Sequence, residues 1–231
     1  MKGEDPRLDR IRSAYDRRRG KDHRYNALLA SNVRTTLERT RVLALFIRQW
    51  LGQNQLSEMD ILEIGCGTGD NILNLIAFGA SPNRIVGNEL LETPIENAKN
   101  RLPSAVRLHL GDGSRLPNSY GPFDLVMQFL VFSSILDDSL LTSLASRMWD
   151  VLKPGGVILS YDFVVDNPCN PDVRGIPLRK LTPLFPDGQF TAKPLTVAPP
   201  LARIVSERFY PLLALVPFLK THCLCAIRKP A

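Results

Sequence analysis

Long apolar runs are missing from this chain. Nothing in it approaches the roughly 20 consecutive apolar residues that span a bilayer, so no transmembrane helix is expected. The basic, polar stretch 1–20 is also unlike a secretory signal. A soluble, cytoplasmic protein is the expectation. Cysteine is scarce and scattered, at Cys66, Cys169, Cys223 and Cys225, and the last two lack the C-x-x-C spacing of a metal or redox pair. On one strand they would point to a single face, which reads as core packing. Histidine is rarer, with three in the chain, and no His, Cys and Asp set has ligand spacing, so no metal is expected. The adjacent pair Asp137–Asp138 would diverge on a helix and reads as an N-terminal cap. No internal repeat or low-complexity tract is visible.

What is present begins with an uneven charge. Residues 1–50 carry 13 basic and 6 acidic side chains, whereas the rest carries 16 and 17. The excess therefore sits in a leader that peaks at RRRGKDHR, Arg17–Arg24. It reads as a solvated arm or as an anion-binding lid over a phosphate, carboxylate or anionic glycan. No aromatic residues interleave with it as base stacking would require, which disfavours nucleic acid.

Helical periodicity runs from Ser31 to Leu51. Short apolar strands then alternate with helices: strands at Ile61–Ile64, Arg84–Asn88, Val106–Leu110, Phe123–Phe129 and Val157–Phe163, helices at Asp70–Phe78, Thr93–Arg101 and Ser139–Leu152. Such alternation predicts a parallel sheet with helices on both faces. The division expected is a basic N-terminal extension and helix over 1–55, one reading of which is a lid, and a catalytic α/β domain over 56–231. Beyond Asp166 prolines crowd the chain, with a short helix near Leu178–Phe185 and strands at Gln189–Val197 and Thr221–Arg228. Between these strands FYPLLALVPFL, Phe209–Leu219, is the most apolar segment. A pocket wall or packed core segment is favoured there over a surface that dips into lipid.

The chemistry concentrates at ILEIGCGTGDNI, Ile61–Ile72, where Gly65, Gly67 and Gly69 follow a strand and open a helix. Glycine permits positive φ and close backbone approach, so such a loop turns its N–H groups toward a nucleotide-like ligand. A dinucleotide fingerprint would place its third glycine at position 70, which is Asp70. Glu89 falls at the end of the second strand, where a carboxylate can take both ribose hydroxyls. Asp112 beside Gly113, in GDGSRLP after the third strand, suits an adenine amine.

In order, E-x-G-x-G-x-G at Glu63–Gly69, Glu89, GDGSRLP, and FDLV followed by LKPGG resemble the class I S-adenosylmethionine-dependent methyltransferases over residues 60–166. The resemblance implies a Rossmann-like seven-stranded, mostly parallel sheet whose last strand is antiparallel, with a helical N-terminal extension. It also implies S-adenosyl-L-methionine as cofactor. Glu63 and Gly65 would lie near its amino-acid end, Gly67 and Gly69 would admit the methionine portion and sugar, Glu89 would hold ribose, and Asp112 with Gly113 would flank adenine. Gln128 would face the sulfonium, and Tyr15 and Tyr25 are lid candidates, the alternative being surface aromatics.

A sulfonium methyl is already activated, so a protein need only align an acceptor and exclude water, adding a base where the acceptor arrives protonated. Asp162, in LSYDF, is the first candidate for that base or for orienting the acceptor, against a structural carboxylate. His23 is the second, against a solvated side chain; Gln128, Ser133 and Tyr161 are the other polar groups expected at these strand ends. His109 and His222 read as sheet histidines. Arg174 and Arg179 either grip an anionic substrate or are solvated or capping. The reading is a methyltransferase acting on a small molecule or glycan, at oxygen, because QFLV occupies the position where nitrogen-acceptor enzymes carry N/D-P-P-Y/F. Its alternatives are small-molecule N-methylation, a nicotinamide-dependent oxidoreductase and a catalytically silent cofactor-binding module. Peripheral membrane contact stays open.

Overall fold

The structure, a computed structural model, describes residues 5–18, 26, 28–51, 56–167, 170–198, 205 and 209–231. Seven strands form one sheet: β1 (Ile61–Ile64), β2 (Ile85–Glu89), β3 (Arg107–Leu110), β4 (Phe123–Phe129), β5 (Leu152–Phe163), β6 (Gln189–Val197) and β7 (Lys220–Arg228). Their order is β3-β2-β1-β4-β5-β7-β6. The first five pair in parallel, and β7 runs antiparallel between β5 and β6. The last strand is thus antiparallel, as expected. Pro194 lies in β6, the edge strand, where a missing N–H leaves no ladder bond unmade on the open side.

Helices α1 (Pro6–Arg18), α2 (Ala30–Leu51), α3 (Asp70–Ala77), α4 (Glu92–Arg101), α5 (Asp138–Asp150), α6 (Leu178–Leu181) and α7 (Tyr210–Ala214) surround the sheet. Successive strand residues alternate between two apolar layers, as the pleat requires. Ile61, Ile85, Leu125 and Leu159 join Leu43 and Phe46 of α2 and Leu75 of α3 on one face. Leu62, Val86, Val126 and Ile158 join Leu144 and Met148 of α5 and Leu8 of α1 on the other.

The packing of α2 and the start of β5 add to the sequence reading. Val42, Leu43, Phe46 and Ile47 of α2 are buried in the main core, each contributing about 1.5–3 kcal/mol by leaving water. The apolar layer on this face of the sheet therefore includes α2. LKPGG is the first part of β5, because Leu152 pairs with Phe123 and a register shift follows. Segment 209–219 also divides: Tyr210 packs on Val197, while Phe209, Leu212, Leu215 and Phe218 are exposed.

Candidate functional site

The carboxyl ends of β1, β2, β3 and β4 converge on a cleft of about 160 Å³, walled by Gly65, Gly67, Asn88, Glu89, Asp112 and Gly113 and roofed by Leu8, Ile11 and Tyr15 of α1. The glycine loop is a left-handed path, with φ of 67° at Gly65, 55° at Gly67 and 89° at Gly69. Two of these positions differ in the space around them. A Cβ on Gly65 would collide with Val131 Cγ2, whereas one on Gly67 would meet nothing within 4 Å and project into open space. Arg101 ties the loop to α4, donating to Thr68 O at 2.8 Å and to Asp70 Oδ1 at 2.6 Å.

Glu89 stands on the cleft wall and accepts from Gly67 N at 2.8 Å and from Leu91 N at 2.9 Å. Burial raises its carboxyl above the ordinary range, while the N–H bonds of Leu91 and Gly67 oppose that rise. Each carboxylate oxygen has two acceptor sites, so capacity remains for hydroxyl donors. Asp112 accepts from Ser114 N at 2.9 Å and Ser114 Oγ at 2.8 Å. Gly113 is obligatory in this packing, since a Cβ would lie 2.7 Å from Asn88 Oδ1. Asn88 in turn donates to Gly111 O at 3.0 Å and its carbonyl accepts from Cys66 N at 2.9 Å. One side chain and its backbone thus fasten the β3 turn to the glycine loop.

Glu63 lies beneath the loop rather than on the cleft wall. Its Oε1 accepts from Asn71 Nδ2 at 2.6 Å, and its Oε2 and Asn71 Oδ1 are buried without a partner. Burial pushes its carboxyl up to about 8. Arg39 of α2 adds an opposing influence on Glu63 and also bears on Tyr161 and His222. Its guanidinium stands 5.9 Å from the Phe129 ring centre, with Nε buried and unpartnered. Among the described residues no ion pair involves Arg39.

Gln128 and Asp162 are wholly buried and line no part of the cleft. Gln128 Nε2 donates to Asp162 Oδ2 and to Ser160 Oγ at 2.6 Å, and its Oε1 accepts from Val131 N at 3.1 Å and Phe132 N at 3.3 Å. Asp162 Oδ1 accepts from Ser133 N at 3.0 Å. Together they clamp the turn Leu130–Ser134, whose Leu130 has φ 63°, a left-handed conformation costing a β-carbon residue about 1–3 kcal/mol. Burial raises the Asp162 carboxyl to about 6. Gln128, expected to face a sulfonium, and Asp162, expected to act as a base or to orient an acceptor, are thus both turned to internal partners, as buried polar groups are.

Tyr15 lies on the cleft, 3.5 Å from Ser134 Oγ through its hydroxyl. His23 and Tyr25 lie outside the described residues. Arg7 of α1 donates to Ser139 Oγ at 2.7 Å and Arg17 to Asp172 at 2.7 Å, so basic side chains secure this roof. Asp137 caps α5, accepting from Leu140 N at 2.8 Å, and Asp138 pairs with Arg174. Arg179 is exposed. His109 packs edge-on against Tyr120, and His222 stacks on Tyr161. Among the described residues no three His, Cys, Asp or Glu side chains gather as metal ligands. Asn71, Asn88, Arg39 and Arg101 were not singled out from sequence; the polar Asn88 inside the apolar IVGNEL strand was the available signal.

Residues 61–156 match the family model described as Methyltransferase domain. The mouse tRNA N(3)-cytidine methyltransferase METTL2 is 28% identical over 111 residues, 45% of this chain and 28% of that protein. The ribosomal protein L11 methyltransferase of Thermosipho melanesiensis is 33% identical over 126 residues, 52% of this chain and 43% of that protein. The chain thus spans less than half the length of these relatives. Among solved structures, the N-methyltransferase NodS of Bradyrhizobium japonicum in complex with S-adenosyl-l-homocysteine superposes with a TM-score of 0.65 at 17% identity, covering 96% of this chain and 99% of that one. At that identity the likeness concerns the fold.

Proposed function

From a methyltransferase domain at residues 61–156, carried on the class I S-adenosylmethionine-dependent fold, we propose that this chain transfers a methyl group from S-adenosyl-L-methionine to oxygen on a small molecule or glycan. One observation carries the reading: Gly67, Glu89 and Asp112 share the wall of one cleft at the carboxyl ends of the parallel strands, where open sheets bind ligands. The donor set fits the cofactor. Glu89 offers acceptor sites for ribose hydroxyls and Asp112 for an exocyclic amine, and the open space over Gly67 is where a ligand can pass close to the backbone. Arg39, without an ion-pair partner among the described residues and 5.9 Å from the ring of Phe129, a cleft residue, suits a methionyl carboxylate.

When bound, the cofactor supplies an electrophilic methyl that needs no further activation. The chain's own work is placement. Leu8, Ile11 and Tyr15 cover the cleft and exclude water, and the turn Leu130–Ser134 fixes Val131 against the glycine loop. Gln128 and Asp162 act here as positioning residues for that turn, and His23 is the one base candidate carried forward. QFLV in place of a nitrogen-acceptor motif supports oxygen over nitrogen, and NodS, an N-methyltransferase of this fold, makes small-molecule N-methylation the second reading. The tRNA and ribosomal-protein relatives match less than half of their own lengths, so neither acceptor class is adopted.

Titration calorimetry with S-adenosylhomocysteine and with NAD tests the cofactor assignment, and heat from NAD alone would overturn it. Radiolabelled methyl from S-adenosylmethionine should then appear on acceptors in bacterial extracts. Label that never leaves the cofactor would favour a silent binding module.

A further inference from the structure

We propose that the Phe209–Leu219 segment, together with the adjoining stripe of α2, docks the protein on the surface of an anionic lipid bilayer. Four large side chains, at every third residue, project into solvent: Phe209 at 57% exposure, Leu212 at 61%, Leu215 at 76% and Phe218 at 86%. Isolated exposed apolar residues need no explanation, but a run of four on one short segment does. The segment is anchored from behind. Tyr210 is buried, its hydroxyl donates to Glu38 Oε2 at 3.3 Å, and the Arg34 guanidinium lies 4.1 Å over its ring. The exposed row is therefore held on a fixed base rather than left by a fraying end.

The same contacts place α2 alongside. One residue before Arg34 and one before Glu38, α2 exposes Val33 and Leu37, and Arg41 continues that helical stripe at the next i+4 position. Charge selects the occupant. FYPLLALVPFL holds no charged residue and is bracketed in sequence by Arg208 and Lys220, and the chain as a whole is +6. Among the described residues, Glu38 of α2 is turned toward the anchor beneath this surface, accepting from Thr196 N at 3.2 Å as well as from Tyr210. Apolar side chains with basic flanks match the boundary between acyl chains and anionic headgroups, where aromatic and leucine side chains enter and Lys or Arg stay at the phosphate level. No helix of the described residues is long and apolar enough to cross a membrane, so this contact is peripheral.

Co-sedimentation of the full chain with vesicles tests the proposal. The protein should pellet with phosphatidylcholine vesicles containing phosphatidylglycerol and stay mostly soluble with phosphatidylcholine alone. The double substitution Leu215→Ser, Phe218→Ser should lower partitioning at least ~10-fold while leaving the melting temperature and S-adenosylhomocysteine affinity unchanged. Arg41→Glu should weaken only the anionic-lipid arm. Wild-type protein that stays in the supernatant with both vesicles overturns the proposal. So does a concentration-dependent dimer, seen by light scattering, that the double substitution dissolves, since a second copy would then be the occupant. These outcomes are independent of whether methyl transfer is the activity.

Discussion

Two sets of polar side chains stand at strand ends only a few residues apart in the sheet, and they meet opposite fates. On the cleft rim, Glu89 and Asp112 hold their backbones in place yet keep acceptor capacity toward open space. In the interior, Asp162 and Gln128 direct their polar atoms at each other, at Ser160 and at three backbone N–H groups of the Leu130–Ser134 turn. Strand-end position alone therefore does not make a carboxylate available for chemistry. What decides is whether a loop at that strand end or its neighbour folds back over it. After β4 the loop does so, and after β2 and β3 it turns aside to leave a crevice.

The sharpest break of this contrast would come from Asp162→Ala. Removing the carboxylate leaves Ser133 N and one of the two Gln128 Nε2 hydrogens without a buried partner, the other still reaching Ser160 Oγ, so unfolding free energy should fall by about 3 kcal/mol. Urea denaturation followed by circular dichroism reads this directly. A variant of wild-type stability that has lost only methyl transfer would return Asp162 to the reacting centre. Glu89→Ala is the counterpart on the rim. It should weaken S-adenosylhomocysteine binding by about 1.5–3 kcal/mol, the size of a hydrogen bond to a charged group, with a smaller change in stability because solvent can reach the freed N–H groups. Unaltered affinity by calorimetry would remove the ribose role.

Glu63 sharpens the comparison through pH. Its folded carboxyl sits at about 8 against an ordinary 4.5, so the folded state keeps a proton that the unfolded chain releases. The stability this provides is full below pH 4.5 and is lost as pH rises through 8. Glu63→Gln cannot ionise and should flatten that decline, gaining about 2–3 kcal/mol relative to wild type between pH 6 and pH 9. Melting temperatures across that range are the measurement, and parallel curves for the two proteins would mean that Glu63 is ionised in the fold.

How much of this was legible follows from what each feature requires. Gly65, Gly67, Glu89 and Asp112 were readable because a left-handed loop and a strand-end acid impose residue types at fixed spacing. The sheet was readable because β1, β2 and β4 are buried on both faces and so appear as short, largely apolar runs in which Glu63, Asn88, Glu89 and Gln128 stand out. For Asp162, sequence gives its place at the end of β5 but not that Ser133 folds back onto it. Arg39 was hidden because its significance lies across tens of residues, and Asn71 because only the folded glycine loop brings it back onto Glu63. The exposed row at 209–219 resembled core for the same reason: hydrophobicity records the side chain and leaves its surroundings unstated.

The smallest expected effect belongs to Asp112→Asn, and it tests how the rim works. Asparagine keeps one oxygen to accept from Ser114 N, so the turn should survive and the melting temperature should barely move. The other oxygen becomes an amide that cannot accept from Ser114 Oγ, a bond of 2.8 Å in the structure. Against an adenine amine the remaining oxygen can serve either the turn or the ligand well, so affinity for S-adenosylhomocysteine should fall by about 0.5–1.5 kcal/mol, the net value of one neutral hydrogen bond. Inosine-containing analogues, which present an oxygen where adenine has its amine, discriminate further. If Asp112 accepts from that amine, the wild type should prefer the adenine form and Asp112→Asn should narrow the preference, because its amide can turn to donate. Equal discrimination by both proteins would place the purine elsewhere and leave Asp112 as a cap for its own turn.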